Sequence, residues 1–171
     1  MVFGQNRHGD TVRALLPGEV PYGANMAFRR ETLSNERFSG RFGRTKQMMI
    51  LAGETELLGR LIRKGLLGVW VGPARVRHCI PPENATVEYV ERRMRGFGRT
   101  CVRLGKLGFA RFLGGSRNPA AAAYWKARAW MASIQARRLA VAGGSKWVQA
   151  IGIAAMYDGM IEEARSQVGN Q

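Results

Sequence analysis

Acidic side chains are missing from a long stretch of this 171-residue chain. Between Glu91 and Asp158 there is no aspartate or glutamate, whereas thirteen lysines and arginines fall there. Over the whole chain 27 Lys and Arg stand against 12 Asp and Glu, which leaves a formal net charge of +15. Such an excess of positive charge predicts an anionic partner: a nucleic acid, a lipid surface or a phosphorylated substrate.

Cysteine and long apolar runs are scarce as well. Cys79 and Cys101 form neither a CxxC pair nor a disulfide framework, which is typical of a reducing compartment. The longest uncharged apolar stretch, around residues 147–157, is shorter than the roughly 20 residues that a membrane-spanning helix needs. Residues 1–10 lack the apolar run of a secretory signal. We therefore expect a cytoplasmic protein that is at most peripheral to a membrane.

The remaining composition allows a folded core, because 46% of the residues are hydrophobic. The first part of the chain carries charges of both signs and mixes helical with strand-like patterns, which predicts an α/β fold. The rest is basic, punctuated by glycine and rich in alanine. We place a domain boundary near residues 96–98, so that residues 1–98 form one region and residues 99–171 a basic helical tail.

Local patterns predict the order of the elements. They indicate a helical turn over 29–33, a helix over 54–64 closed by Gly65, strands over 67–71 and 74–80, a helix from a Thr86 cap to residue 95, and two helices that begin near Pro119 and Ser145. The helix over 54–64 has the strongest pattern, since Leu57, Leu58 and Leu61 share one face. A Gly143–Gly144 turn makes the last two helices a hairpin.

Three short segments carry a pattern with chemical meaning. They read GANMAFRR over 23–30, GETELLGRL over 53–61 and ARVRHCIPPE over 74–83. In this order and spacing they resemble the second half of family 2 glycosyltransferases, which use nucleotide sugars. The resemblance covers residues 16–98 well and the tail more loosely. It implies a partial GT-A (Rossmann-like) α/β fold, here its C-terminal, acceptor-side half, followed by a tail that in relatives often lies against the membrane.

The resemblance implies that Glu54 is the catalytic base. Transfer of a sugar to an alcohol requires a group that takes the acceptor proton. A carboxylate at the opening of a helix stays ionised, because backbone N–H groups and the helix dipole favour its charge. The family motif usually has two adjacent acids, where this chain has Gly53 and Glu54. The alternative is that Glu54 only stabilises the N-terminus of the helix.

Further substrate-binding residues follow from the resemblance. They are Gly23, Ala24, Asn25, Glu56 and Arg60. Glycine lets the backbone approach a ligand closely, so Gly23 and Asn25 are expected to shape the floor of the sugar site. The alternative for this pair is a simple turn that enters a strand.

His78 is the metal-site candidate, because it matches a position that reaches metal or diphosphate, although a lone histidine is commonly an ordinary hydrogen-bonded residue. A divalent metal (Mg or Mn) would stabilise the departing diphosphate. The sequence has no DxD-type motif to hold it, and its two aspartates are Asp10 and Asp158. We therefore expect metal binding and transfer only together with a donor-binding half, upstream or on a separate chain, and no activity without it.

The implied partners are a nucleotide-sugar donor and a sugar or lipid-linked acceptor, with inversion at the transferred sugar. A competing hypothesis is a non-enzymatic protein whose basic tail binds an anionic membrane surface, with Trp125, Trp130 and Trp147 at the interface. Nucleic acid is the least favoured partner, because no nucleic-acid-binding motif is present.

Overall fold

The computed structural model describes residues 9–16, 19, 23–45, 49–77, 79–106 and 119–166. Its strands and helices are β1 (Val12–Ala14), β2 (Gly43–Arg44), β3 (Met49–Ile50), α1 (Gly53–Arg63), β4 (Val69–Val71), α2 (Val87–Lys106), α3 (Pro119–Leu139) and α4 (Gly144–Ser166), with 3-10 turns at Arg30–Leu33 and Pro82–Asn84. The chain is thus mixed α/β and mostly helical. None of the helices described is long and apolar enough to cross a membrane.

The described residues divide into two compact units. The first unit contains the residues up to 42 together with 52–80, and the second contains 43–51 and the residues from 81 onward. The expected boundary at residues 96–98 falls inside α2, which continues through that glycine pair.

In the first unit, α1 packs by its leucine face as the periodicity predicts. Leu57, Leu58 and Leu61 are buried, and Gly65 follows the helix with φ +84, a left-handed conformation that glycine adopts without steric cost. Nearby, β1 pairs antiparallel with β4, with Val12 opposite Val71. The strand predicted over 67–71 is therefore confirmed over Val69–Val71.

In the second unit, α2 and α4 approach so closely that glycines are required at their contacts. A Cβ on Gly159 would collide with the carbonyl oxygen of Arg95, and one on Gly98 with that of Met156.

Gly96 of α2 instead packs against β3, where a Cβ would collide with the carbonyl oxygen of Met49. Thr100 of α2 is hydrogen-bonded to the residue that follows β3. Its buried hydroxyl donates to Gly96 O (2.8 Å) and accepts from the amide of Leu51 (2.8 Å).

The second unit is also joined by ion pairs between α2 and α4. Arg103 contacts Glu163 at 2.9 Å, and both Arg95 and Arg99 contact Glu162. Arg95 thus joins α2 to α4. Every acidic residue of α4 therefore meets an arginine of α2, since Asp158 also lies 3.6 Å from Arg95.

The helical hairpin predicted for the tail is present as α3 and α4. Trp125 is buried with Cys101, Val102 and Met160, and burial raises the pKa of the Cys101 thiol to about 11. The expectation that Trp125 lies at a membrane interface is therefore wrong, because this side chain belongs to the core.

Two local predictions are also wrong. The helix expected to end at Arg95 runs on to Lys106, because Gly96 packs against β3 and Gly98 against α4, and neither terminates the helix. The second strand expected over 74–80 is absent from the described residues 74–77 and 79–80, where the chain is irregular. Pro81 and Pro82 follow this segment, and most of its side chains are exposed. Of the glycines that punctuate the basic part of the chain, Gly105 is helical and Gly108, Gly114 and Gly115 lie outside the described residues.

Candidate functional site

The carboxyl group of Glu54 lies against the backbone of Gly23. A Cβ on residue 23 would come within 2.9 Å of the Glu54 Cδ and 3.0 Å of its Oε1. Glu54 belongs to the first turn of α1, and its side chain is partly buried. The segments 23–30 and 53–61 are therefore in contact, with Gly23 of the first segment facing the carboxylate of Glu54 in the second.

The third segment joins the same turn through a hydrogen bond between a side chain and the backbone. The side-chain amide of Asn25 donates to the carbonyl oxygen of Ala74 at 2.7 Å, across 49 residues of sequence. Ala24, between Gly23 and Asn25, is exposed. One exposed turn thus contacts the helix that carries Glu54 and the start of the segment that leads to His78.

Residue Ala52, at the N-cap of α1, has an unusual backbone conformation. Its φ of 64 and ψ of 30 place it in the left-handed region, and no other non-glycine residue described has a positive φ. For an L-residue with a Cβ this conformation costs about 1–2 kcal/mol. The strained residue stands two positions before Glu54, and such strain is concentrated at functional sites.

Glu56 and Arg60 form a salt bridge within α1. The Arg60 guanidinium donates to Glu56 through Nε at 2.7 Å and Nη2 at 3.2 Å, and it also pairs with Glu36. The hydrogen bond with Glu56 raises the pKa of Arg60. Lys64 completes the network: its hydrogen bond to Glu36 lowers the pKa of that buried carboxyl, with Arg60 acting in the same direction against burial. These contacts hold the loop before α1 onto the helix.

A shallow depression of about 620 Å³ lies at the other end of α1. It is lined by Arg29, Glu31, Thr32, Ser34, Asn35, Glu36, Leu61, Lys64 and Leu66. Because a helix rises about 1.5 Å per residue, Lys64 stands roughly 15 Å along the axis from Glu54. The depression is therefore separate from the contact between Gly23 and Glu54.

The metal candidate His78 lies outside the described residues. In the part of the chain that the structure describes, no group of three or more His, Cys, Asp and Glu side chains is placed to hold a metal ion. The described residues therefore offer no ligand set for the divalent cation that the resemblance implies.

Two features of this region escaped the sequence analysis. Alanine gives no signal for a left-handed conformation, so Ala52 could not be singled out. Glu36 belongs to none of the three segments, although it is 7% exposed and forms ion pairs with Arg60 and Lys64. No family model, curated protein or solved structure matches this chain.

Proposed function

We propose that the first unit forms the acceptor side of a glycosyltransferase that moves a sugar from a nucleotide-sugar donor to an acceptor hydroxyl. The observation that carries the proposal is the contact between Gly23 and the Glu54 carboxyl. The Glu54 side chain is only partly buried, and its carboxyl group faces a turn whose residues Gly23 and Ala24 are exposed, so that a ligand can reach it. The left-handed Ala52 beside it agrees with a functional position.

In the proposed reaction Glu54 acts as the general base. The acceptor hydroxyl gives its proton to the Glu54 carboxylate while its oxygen forms the bond to the anomeric carbon of the donor sugar. The bond between that carbon and the diphosphate oxygen breaks, and the nucleoside diphosphate leaves with the electron pair. Gly23 and Asn25 form the turn on which the acceptor rests, and the absence of a side chain at Gly23 leaves room for the Glu54 carboxyl group beside it.

The donor must be held by residues other than those described. The sequence contains no DxD-type motif, and its two aspartates belong to different units. We propose that the nucleotide-binding residues come from further polypeptide, either continuous with this chain or on a partner. Activity is then expected only when that polypeptide is present.

The test is sugar transfer by the chain together with its donor-binding polypeptide, supplied from the flanking coding region of the gene or by co-expression. Membranes and soluble extract serve as acceptors, and the incorporation of radiolabel from a panel of nucleotide sugars is measured. Replacement of Glu54 by glutamine keeps the shape and removes the base. We expect it to lower the transfer rate by about 100-fold or more, the usual contribution of a general base.

Glu31→Gln is the matched control, because Glu31 is an exposed carboxylate of the same unit at a 3-10 turn. It should leave the transfer rate unchanged. Equal rates for the Glu54→Gln variant and the native chain, or no transfer with any donor in the presence of the donor-binding polypeptide, would overturn the proposal.

A further inference from the structure

The outer side of α3, which faces away from the buried Trp125, combines exposed apolar residues with lysine and arginine side chains. Trp130 is 67% exposed, Met131 47% and Val141, just beyond the helix, is fully exposed. At about 100° per residue, Trp130 and the half-buried Ile134 fall in one stripe along the helix, and Val141 follows in the turn after it. This is the side of α3 opposite to Trp125, which packs into the core.

Cations border this stripe on both sides. Lys126 and Arg137 lie along one border and Arg138 along the other, and α3 contains no acidic residue. None of these three side chains has an ion pair with a carboxylate among the described residues. Arg128 differs, because its guanidinium lies 5.8 Å from the centre of the Tyr157 ring.

Among the described residues of the second unit, no acidic side chain forms an ion pair with these cations. The three acids of α4 already meet Arg95, Arg99 and Arg103 of α2. The remaining acids of the unit are Glu83, in the 3-10 turn Pro82–Asn84, and Glu88 and Glu91, near the N-terminus of α2. The outer side of α3 therefore presents uncompensated positive charge around an aromatic and aliphatic stripe.

We propose that the outer side of α3 binds the surface of an anionic lipid bilayer, with the helix lying parallel to the membrane plane. A helix that lies in the interface buries its apolar stripe among the headgroups, while lysine and arginine at its borders contact anionic lipid. Tryptophan suits this position because its ring is amphipathic. The phosphate backbone of a nucleic acid would match the cations but would leave Met131, Ile134 and Val141 without an apolar partner.

The test is flotation of the full chain with vesicles of two parts phosphatidylcholine to one part phosphatidylserine, compared with vesicles of phosphatidylcholine alone. We expect binding to the first vesicles only, and weaker binding as salt is raised. Arg137→Glu combined with Arg138→Glu should lower the partition coefficient by about 30-fold or more, which corresponds to about 1 kcal/mol for each cation removed. The control reverses two exposed arginines elsewhere, Arg44→Glu with Arg77→Glu, and should bind almost as the native chain does.

Tryptophan fluorescence tests the orientation of the helix. Emission should shift to shorter wavelength when anionic vesicles are added, and Trp130→Phe should abolish the shift. Trp70→Phe should retain it, because Trp70 belongs to β4 and its indole donates to Gly9 O at 2.9 Å.

Three results would overturn the proposal. One is equal vesicle binding by the two charge-reversal variants. Another is salt-dependent binding to duplex DNA without binding to vesicles, which would make nucleic acid the partner. The third is a chain that self-associates through Trp130, seen as a dimer in sedimentation that Trp130→Ala dissociates, without vesicle binding. None of these measurements involves sugar transfer, so their failure is separate from any failure of the proposed activity.

Discussion

The carbonyl oxygen of Met156 on α4 occupies the space that a side chain on Gly98 of α2 would need. The amide nitrogen of Met160 lies 3.0 Å from the same position. Both neighbours are backbone atoms of a helix, so neither can move aside by changing a rotamer. The distance between α2 and α4 is therefore set by the absence of a side chain at residue 98.

Gly98→Ala is expected to destabilise the second unit. The added methyl group forces the two helices apart, at a cost of about 1–3 kcal/mol for overpacking a tight contact. Alanine has a higher helix propensity than glycine, which offsets up to about 1 kcal/mol of this cost. We therefore expect the free energy of unfolding to fall by about 1–2 kcal/mol. Urea unfolding followed by circular dichroism at the helical band measures it.

Gly152→Ala is the matched variant for this prediction. A Cβ there meets only the side chains of Met94 at 3.2 Å and Val90 at 3.5 Å, which can adjust. We expect its free energy of unfolding to stay at the native value or to rise by up to about 1 kcal/mol, because the helix propensity of alanine is gained there without a backbone clash. Equal effects of the two variants would show that backbone contact does not limit the helix distance.

Gly65 and Gly96 show which parts of the fold could be predicted from the sequence. The helix α1 was predicted correctly because Leu57 and Leu61 repeat at helical spacing and Gly65 follows as a stop signal. The end of α2 was predicted incorrectly, because Gly96 is also a stop signal when only its sequence neighbours are considered. Its role depends on Met49, 47 positions earlier in the chain, and local patterns carry no information about such contacts.

For the candidate site, the sequence identified the segments but not their geometry. The resemblance pointed to Gly23 and Glu54 without giving the distance between them. The backbone carbonyl that accepts from Asn25 could not be identified in advance, because any residue type offers one. The strain at Ala52 was equally hidden, since alanine normally avoids a positive φ.

Ala52→Gly is expected to stabilise the chain. Glycine adopts the left-handed conformation without the Cβ penalty and is also favoured over alanine at an N-cap. We expect the free energy of unfolding in urea to rise by about 1 kcal/mol, less a part lost to the more flexible unfolded chain. Ala27→Gly, in the exposed loop of the same unit and without a positive φ, should instead lower it. A loss of stability in both variants would mean that residue 52 is not strained.

Acid is expected to weaken the contact between α2 and α4. Burial tends to raise the pKa of Glu162, but the hydrogen bond from Arg99 and the charge of Arg95 outweigh it and lower this pKa below its ordinary value of 4.5. A carboxyl group whose pKa is lower in the folded state stabilises the fold above its unfolded pKa, and this contribution disappears as pH falls through the folded pKa. The thermal midpoint of the helical signal should therefore fall as the pH is lowered below about 4.5.

Glu162→Gln separates this contribution from those of other carboxyl groups. The variant should have a lower midpoint at neutral pH and a smaller further decrease in acid. Glu88→Gln serves as the control, because Glu88 is exposed in the first turn of α2 and forms no ion pair among the described residues. A decrease in acid that is as steep in Glu162→Gln as in the native chain would assign the pH dependence to other groups, such as Glu36 in the first unit.

Gly23→Ala tests whether the position of the Glu54 carboxyl matters for function. The methyl group would lie 2.9 Å from the Glu54 Cδ, at the far end of a flexible side chain that can rotate away. We therefore expect the free energy of unfolding to change by less than about 1 kcal/mol, because no core contact is lost. A base displaced by about 1 Å can cost 100-fold in rate, so sugar transfer by the complete enzyme should fall by about that factor.

Gly40→Ala is the control for this prediction. It changes a glycine with open space around its Cβ position, so it should leave both the free energy of unfolding and the transfer rate unchanged. If Gly23→Ala transfers sugar at the native rate although the carboxyl resonance of Glu54 shifts in its NMR spectrum, Glu54 is not the base, and its charge serves only the N-terminus of α1.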